Sequence, residues 1–255
     1  MIQLLILAGV FGLMVGSFLN VCIARIPAGE SIVSPGSRCP RCKTPIRWYD
    51  NIPVLGYLAL GGKCRACRAP ISIRYPIVEV ITAVAFVGQA YVTGPDPAWL
   101  ASRLIFTAML IVLFGTDLDV QRLPNVITLP GIVIGLAFSL VTPPGPIDSA
   151  IGAALGAASL WIVRWGWLRL RGEEGMGLGD VKMLAMIGAF LGWKQVWITL
   201  FLASITGAVL GVVLLAAKAR SLQSRLPFGT FLAVAAYLAS IVGAPLATWY
   251  FGLMQ

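Results

Sequence analysis

Histidine is absent from all 255 residues. Imidazole chemistry is therefore closed to this chain: no Ser-His-Asp or Cys-His nucleophile, no HExxH zinc site, no His general base. Charge is nearly as scarce. Only 11% of residues are Asp, Glu, Lys or Arg, against roughly 25% in an ordinary soluble domain. That shortfall excludes a disordered chain, a coiled coil and a conventional soluble enzyme. What is abundant is apolar: 58% of residues are hydrophobic, which suits an integral membrane protein. The 19 basic and 10 acidic residues leave a net charge of +9, and that excess must sit in the connections between spans.

A helix needs about 20 mostly apolar residues to cross the hydrocarbon core. Eight such segments are expected: residues 1–24, 76–93, 98–116, 126–142, 149–168, 181–193, 195–217 and 228–252. Pro130 is expected to kink the fourth. The segments are continuously apolar and do not alternate, so a transmembrane β-barrel is excluded. Residues 1–24 lack a basic n-region and are longer than the apolar h-region of a signal peptide, so they read as a stable span. The expected fold is an all-α polytopic membrane protein with about eight transmembrane helices.

Orientation follows from the basic residues. Residues 25–75 hold nine Lys/Arg with only Glu30 and Asp50 as acids. Arg122, then Arg169, Arg171 and Lys182, then Lys218, Arg220 and Arg225 mark later loops on the same side. The opposite loops are almost free of basic charge. By the positive-inside rule these basic loops are cytoplasmic and both termini lie outside. Positive-inside topology accounts for most of the charge, so no nucleic-acid partner is expected. Membrane lipid is the expected surround.

Four of the five cysteines lie in the first basic loop, as Cys39-Pro-Arg-Cys42 and Cys64-Arg-Ala-Cys67. Two CxxC pairs offer four thiolates at tetrahedral reach, the pattern of a structural zinc site, and nearby Arg and Lys favour the thiolate form. Disulfides or redox chemistry are the alternative, which a reducing compartment disfavours. With four protein ligands there is no open position, so the metal would fold the loop rather than catalyse. Cys22, in the first span, reads as apolar packing.

The acids are few enough to take singly. Glu30, Asp50, Asp96 and Asp148 read as ordinary loop acids. Asp117 and Asp119 end the third span, and Asp180 opens the sixth within Gly177-Leu178-Gly179-Asp180. All three fall at expected cytoplasmic ends and so at one depth. Two aspartates meeting there can share a proton, hold a water, deprotonate it and protonate a leaving amine. That is aspartyl peptide hydrolysis without histidine. Gly177 and Gly179 would allow a substrate strand to approach closely. Simple helix capping is the plain alternative for Asp180, but Asp117 and Asp119 oppose the dipole at a helix C-terminus. A proton-coupled transporter would use the same carboxylates.

Taken in order, several motifs resemble one family. They are Gly16-Ser17-Phe18-Leu19-Asn20-Val21 with Arg25-Ile26-Pro27, the four-cysteine loop with Trp48-Tyr49-Asp50-Asn51-Ile52-Pro53, and Tyr75-Pro76-Ile77-Val78-Glu79. Asp117-Leu118-Asp119 with Leu123-Pro124 follows, then Gly177-Leu178-Gly179-Asp180-Val181-Lys182, then Pro227-Phe228-Gly229. The set resembles the type IV prepilin peptidases, GxGD aspartyl proteases of the bacterial inner membrane. The resemblance implies cleavage of a basic leader from prepilins or pseudopilins, after glycine, on the cytoplasmic side. It also implies N-methylation of the new terminus with S-adenosylmethionine.

By the same resemblance Asp117 and Asp180 are catalytic, with Asp119, Gly177, Gly179 and Lys182 in support. Residues 1–93, with the zinc loop at about 25–75, form a methylation-associated region, and residues 94–255 a six-helix peptidase domain. Three positions depart from the family's habit: Val120 where His is frequent, Asn125 where Asp is frequent, and Thr230 where Pro is common. No glycine-rich nucleotide fingerprint follows a strand, so no residue is assigned to S-adenosylmethionine. Glu173 and Glu174 are candidates to attract a basic leader.

Overall fold

The computed structural model describes residues 1–173, 176–216 and 227–252. Every regular element among them is helical: α1 (Ile2–Arg25), α2 (Leu55–Ala59), α3 (Arg74–Thr93), α4 (Pro97–Val120), α5 (Asn125–Phe138), α6 (Pro146–Arg171), α7 (Leu178–Leu191), α8 (Trp193–Ala216) and α9 (Phe228–Gly252). A short 3₁₀ turn, Trp48–Asn51, precedes α2. Five helices, namely α1, α3, α4, α6 and α8, are long and apolar enough to cross a membrane by length and composition. With the shorter apolar α5 and the apolar stretch Phe228–Gly243 of α9 they make the chain an integral membrane protein. The eight expected spans correspond to eight helices, with shifted ends: α4 runs on to Val120, and α5 stops at Phe138 with Pro130 inside it. Asp148, expected in a loop, lies in the first turn of α6, where an acid suits the helix dipole.

The chain divides into two compact units, Met1–Pro95 and Asp96–Gln255. In the first, α1 packs on α3 through a stripe of buried small residues at four-residue spacing: Ala8, Gly12 and Gly16, continued by Asn20. A Cβ on Gly12 would come within 2.6 Å of the Ala83 Cα, and one on Gly16 within 2.7 Å of the Glu79 Cα. The backbones therefore approach as closely as small-residue seams allow in lipid, where dispersion replaces the hydrophobic drive. Asn20 finishes the seam by donating Nδ2–H to the Tyr75 carbonyl at 3.1 Å.

In the second unit α7 is the central element. Every residue from Val181 to Leu191 except Lys182 is buried, because α7 packs against α4, α5, α6, α8 and α9. That explains its length. A helix wrapped by other helices has no need to match the bilayer thickness on its own. Its seam with α6 is again small: a Cβ on Gly152 would meet the Gly188 carbonyl at 2.5 Å, and one on Gly156 the Leu184 carbonyl at 2.5 Å. The buried Ser149 hydroxyl donates to the Ala189 carbonyl at 2.8 Å, so this polar side chain in the seam is satisfied.

Candidate active site and metal centre

In the first unit the loop between α1 and α3 folds back on itself twice in the same way. Cys39 N–H donates to Thr44 and Cys64 N–H to Ala69; Lys43 N–H donates to Cys39 and Arg68 N–H to Cys64. Ile46 bonds to Ser37 as Ile71 bonds to Gly62. Lys43 and Arg68 both take φ of 59°, the left-handed turn that lets each chain return past its cysteines. The sequence signal for this duplication is the pattern Cys-x-x-Cys-x-x-Pro-Ile, at Cys39–Ile46 and again at Cys64–Ile71.

The two turns bring four sulfurs together. Cys39 Sγ lies 3.8 Å from Cys67 Sγ, Cys42 Sγ lies 4.0 Å from Cys64 Sγ, and all four fall within 4.8 Å of one another. A tetrahedron with metal–sulfur bonds of about 2.3 Å has edges of about 3.8 Å. The cluster can therefore hold a metal ion of zinc's size. All five cysteines are free thiols. The Cys42 thiol is pushed down to about 6, chiefly by the Thr44 hydroxyl 3.2 Å away and then by the Thr44 backbone N–H. At Cys42 the thiolate is thus favoured by local hydrogen bonds.

Asp50, taken from the sequence as an ordinary loop acid, has a structural partner. Arg65, between Cys64 and Cys67, grips it with two hydrogen bonds, Nε to Oδ2 at 2.8 Å and Nη2 to Oδ1 at 2.6 Å. That fork holds the Asp50 carboxyl below the usual carboxylate range and ties the second turn to the Trp48–Asn51 segment.

The acids at the ends of α4 and α7 belong to the second unit. Asp117 lies in the last turn of α4 and is buried. Its Oδ2 accepts the Thr230 N–H of α9 at 2.8 Å, and the Gly229 N–H also faces it. Thr230 stands where proline is common in the resembled family, and a proline would lack this donor. Gly229 also lies against Asp117, although the sequence reading quoted it only within Pro227-Phe228-Gly229 and gave it no role. A Cβ there would sit 2.9 Å from Asp117 Oδ2 and 3.0 Å from Leu123 Cδ1.

Asp180 is half-buried at the third position of α7. The N–H groups of Gly177 and of Asp180 itself face its carboxylate, and the Asp117 carboxylate is close enough to act on it coulombically. An acid three residues into a helix, reaching back to the N-cap N–H, is capping-box geometry. The capping and paired-acid readings are thus compatible here, since one carboxylate meets both requirements.

The supporting residues separate. Asp119 is exposed at the end of α4, two residues beyond Asp117 and on another face. Lys182 turns to α5, donating Nζ–H to Asn125 Oδ1 at 2.9 Å and tying the starts of the two helices together. Gly179 is needed for space, because a Cβ would press on Leu123 at 2.9 Å. Gly177 has φ of −75°, and a Cβ there would meet Asp180 only at an ordinary 3.6 Å. Neither glycine adopts a left-handed conformation. Of the two loop glutamates, Glu173 is exposed, and Glu174 lies outside the described residues.

An all-helical membrane protein with two helix-end carboxylates in one site and a separate four-thiol cluster is a class that comparison with known proteins makes definite. Residues 10–93 match the model of the bacterial peptidase A24 N-terminal domain, and residues 104–212 that of the type IV leader peptidase family. A prepilin leader peptidase/N-methyltransferase of Aeromonas salmonicida is 39% identical, covering 94% of this chain and 91% of its own. The protein of that name from Pseudomonas aeruginosa is 39% identical over 94% and 90%, and that from Neisseria gonorrhoeae 40% over 91% and 88%. No solved structure matches. The chain belongs to the type IV leader peptidase family. The transporter alternative finds no support among these relatives.

Proposed function

We propose that this chain is a membrane aspartyl endopeptidase that removes the basic leader of type IV prepilins or pseudopilins, after glycine, at the cytoplasmic face of the bacterial inner membrane. The observation that carries the reading is the shared site of Asp117 and Asp180, on different helices, with backbone N–H donors aimed at each. One carboxylate takes a proton from a water as its oxygen attacks the scissile carbonyl. The other, protonated, gives its proton to the leaving amine as the C–N bond breaks. The pair ends with its protons exchanged, and the water is divided between the two products. The burial of Asp117 keeps bulk water from competing for the proton.

Zinc is the metal we assign to Cys39, Cys42, Cys64 and Cys67. It would cross-link a loop that has few buried residues of its own, and with four thiolates it would have no position for substrate.

S-adenosylmethionine is the methyl donor we assign to the second activity. A cavity of about 380 Å³ in the first unit, lined by Met14, Phe18, Ser17, Arg25 and Asn51 among others, has the mixed apolar and polar wall that a nucleoside-bearing cofactor needs. The methyl group comes from that donor when it is bound. Ser17 and Asn51 would orient the donor, while Arg25 holds the Ser31, Pro35 and Gly36 carbonyls of the surrounding loop.

The test is cleavage, by the purified protein in detergent, of a peptide carrying a basic leader and a Gly-Phe junction. Asp117→Asn and Asp180→Asn are each expected to abolish the cut while the protein still inserts in the membrane. Substantial cleavage by either variant refutes the assignment.

A further inference from the structure

Arg164 lies on α6, in the turns nearest the loop that leads into α7. Its Nη1 donates to the Met176 carbonyl at 2.7 Å. The Met176 carbonyl and the Gly177 N–H are two ends of one planar peptide unit. Asp180 Oδ2 lies beside Gly177, 3.6 Å from where a Gly177 Cβ would be, and the Gly177 N–H favours its charged form. A guanidinium, a peptide group and a carboxylate thus follow one another.

We propose that Arg164 is a positioning residue for hydrolysis, orienting and polarising the Met176–Gly177 peptide so that its N–H serves the carboxylate of Asp180. A charge-assisted bond to a carbonyl is short and strong, and hydrogen bonds in a chain polarise one another in a low dielectric. Gly177 is extended and lies before the first helical residue, so the regular α7 backbone does not set the angle of this peptide. Among the described residues, three other cations of this region have partners of their own. Arg169 lies over the Trp165 ring at 5.5 Å and Arg171 over the Trp167 ring at 5.5 Å, while Lys182 is held by Asn125 at 2.9 Å. The α6–α7 seam of Gly152 and Gly156 fixes the helix that carries Arg164 against the helix that carries Asp180.

The proposal rests on the role of Asp180 given above, so Asp180→Asn is assayed beside it. The measurement is steady-state cleavage of the basic-leader peptide by full-length Arg164→Lys and Arg164→Gln proteins that elute as single peaks. Arg164→Gln is expected to lower kcat about tenfold with KM within about twofold of wild type, since the interaction is made at the reacting carboxylate. Arg164→Lys, which keeps a cation able to reach the carbonyl, should recover kcat to within about threefold of wild type. Amide exchange in the peptide spanning residues 176–180 should be faster in Arg164→Gln than in Arg164→Lys. A kcat unchanged in Arg164→Gln, a loss confined to KM, or a Lys variant no better than the Gln variant overturns the proposal. If Arg164→Gln does not fold, Arg164→Lys decides alone, and a loss beyond about tenfold counts against the proposal. An active Asp180→Asn protein would instead remove the hydrolytic reading itself, a result distinct from a silent Arg164.

Discussion

The Oδ2 atom of Asp117 and the backbone N–H of Thr230 meet at 2.8 Å, although 113 positions separate them in the chain. Because the donor is main chain, the Thr230 side chain is dispensable to it. Its hydroxyl instead bonds locally to the Pro227 carbonyl at 2.6 Å. Thr230→Ala is therefore expected to keep cleavage within about threefold of wild type, and a much larger loss would show that the hydroxyl itself acts at the site.

Gly229 gives the opposite expectation. Its missing Cβ leaves the space that Asp117 Oδ2 and Leu123 Cδ1 occupy at 2.9 and 3.0 Å from where that atom would be. Gly229→Ala should lower kcat by at least about tenfold, by displacing a carboxylate that must be placed to within about 0.5 Å. Thermal unfolding is expected to change little. Wild-type turnover in this variant would mean that Asp117 is not held where the reaction needs it.

Asp119 separates the two neighbouring acids of α4. It is exposed where Asp117 is buried. Asp119→Asn should retain cleavage within about threefold, whereas a dyad member replaced by amide should lose it by about 10³-fold or more. Equal losses at Asp117 and Asp119 would mean that burial does not distinguish their roles.

The thiol cluster predicts about one zinc per chain in protein purified under reducing conditions, by elemental analysis. Cys39→Ser should lose the metal and expose residues 38–70 to limited proteolysis. Asp50→Asn, which breaks the fork to Arg65, should leave the four thiols in place but release the metal faster to a chelator. Release no faster than in wild type would mean that the ion pair does not support the cluster.

The α6–α7 seam predicts a stability effect far from the chemistry. A side chain on Gly156 must displace the Leu184 backbone, since even a Cβ would come within 2.5 Å of its carbonyl. Gly156→Val should cost about 1–3 kcal/mol or more through overpacking, read as a lower unfolding temperature in detergent. It should also slow cleavage, because α7 carries Asp180. An unfolding temperature equal to wild type would show that the two helices can part at little cost.

Hydropathy belongs to each residue on its own, so the linear chain already determined that this protein is helical, lies in a membrane and turns at the loops where charge collects. Ligand type and spacing likewise announced the thiol cluster, since two CxxC pairs within one short loop have few other uses. Packing belongs to pairs of residues distant in the chain, and it alone decided the rest: that α7 is central and can be short, that Asp117 and not Asp119 turns inward, and that α9 supplies main-chain donors to a carboxylate on α4. It also decided that Asp50 answers Arg65 and that Arg164 reaches the peptide before Asp180. A backbone N–H has no letter in the sequence, and an empty space beside a glycine has none either. Contacts made by such groups become visible only once the helices are assembled.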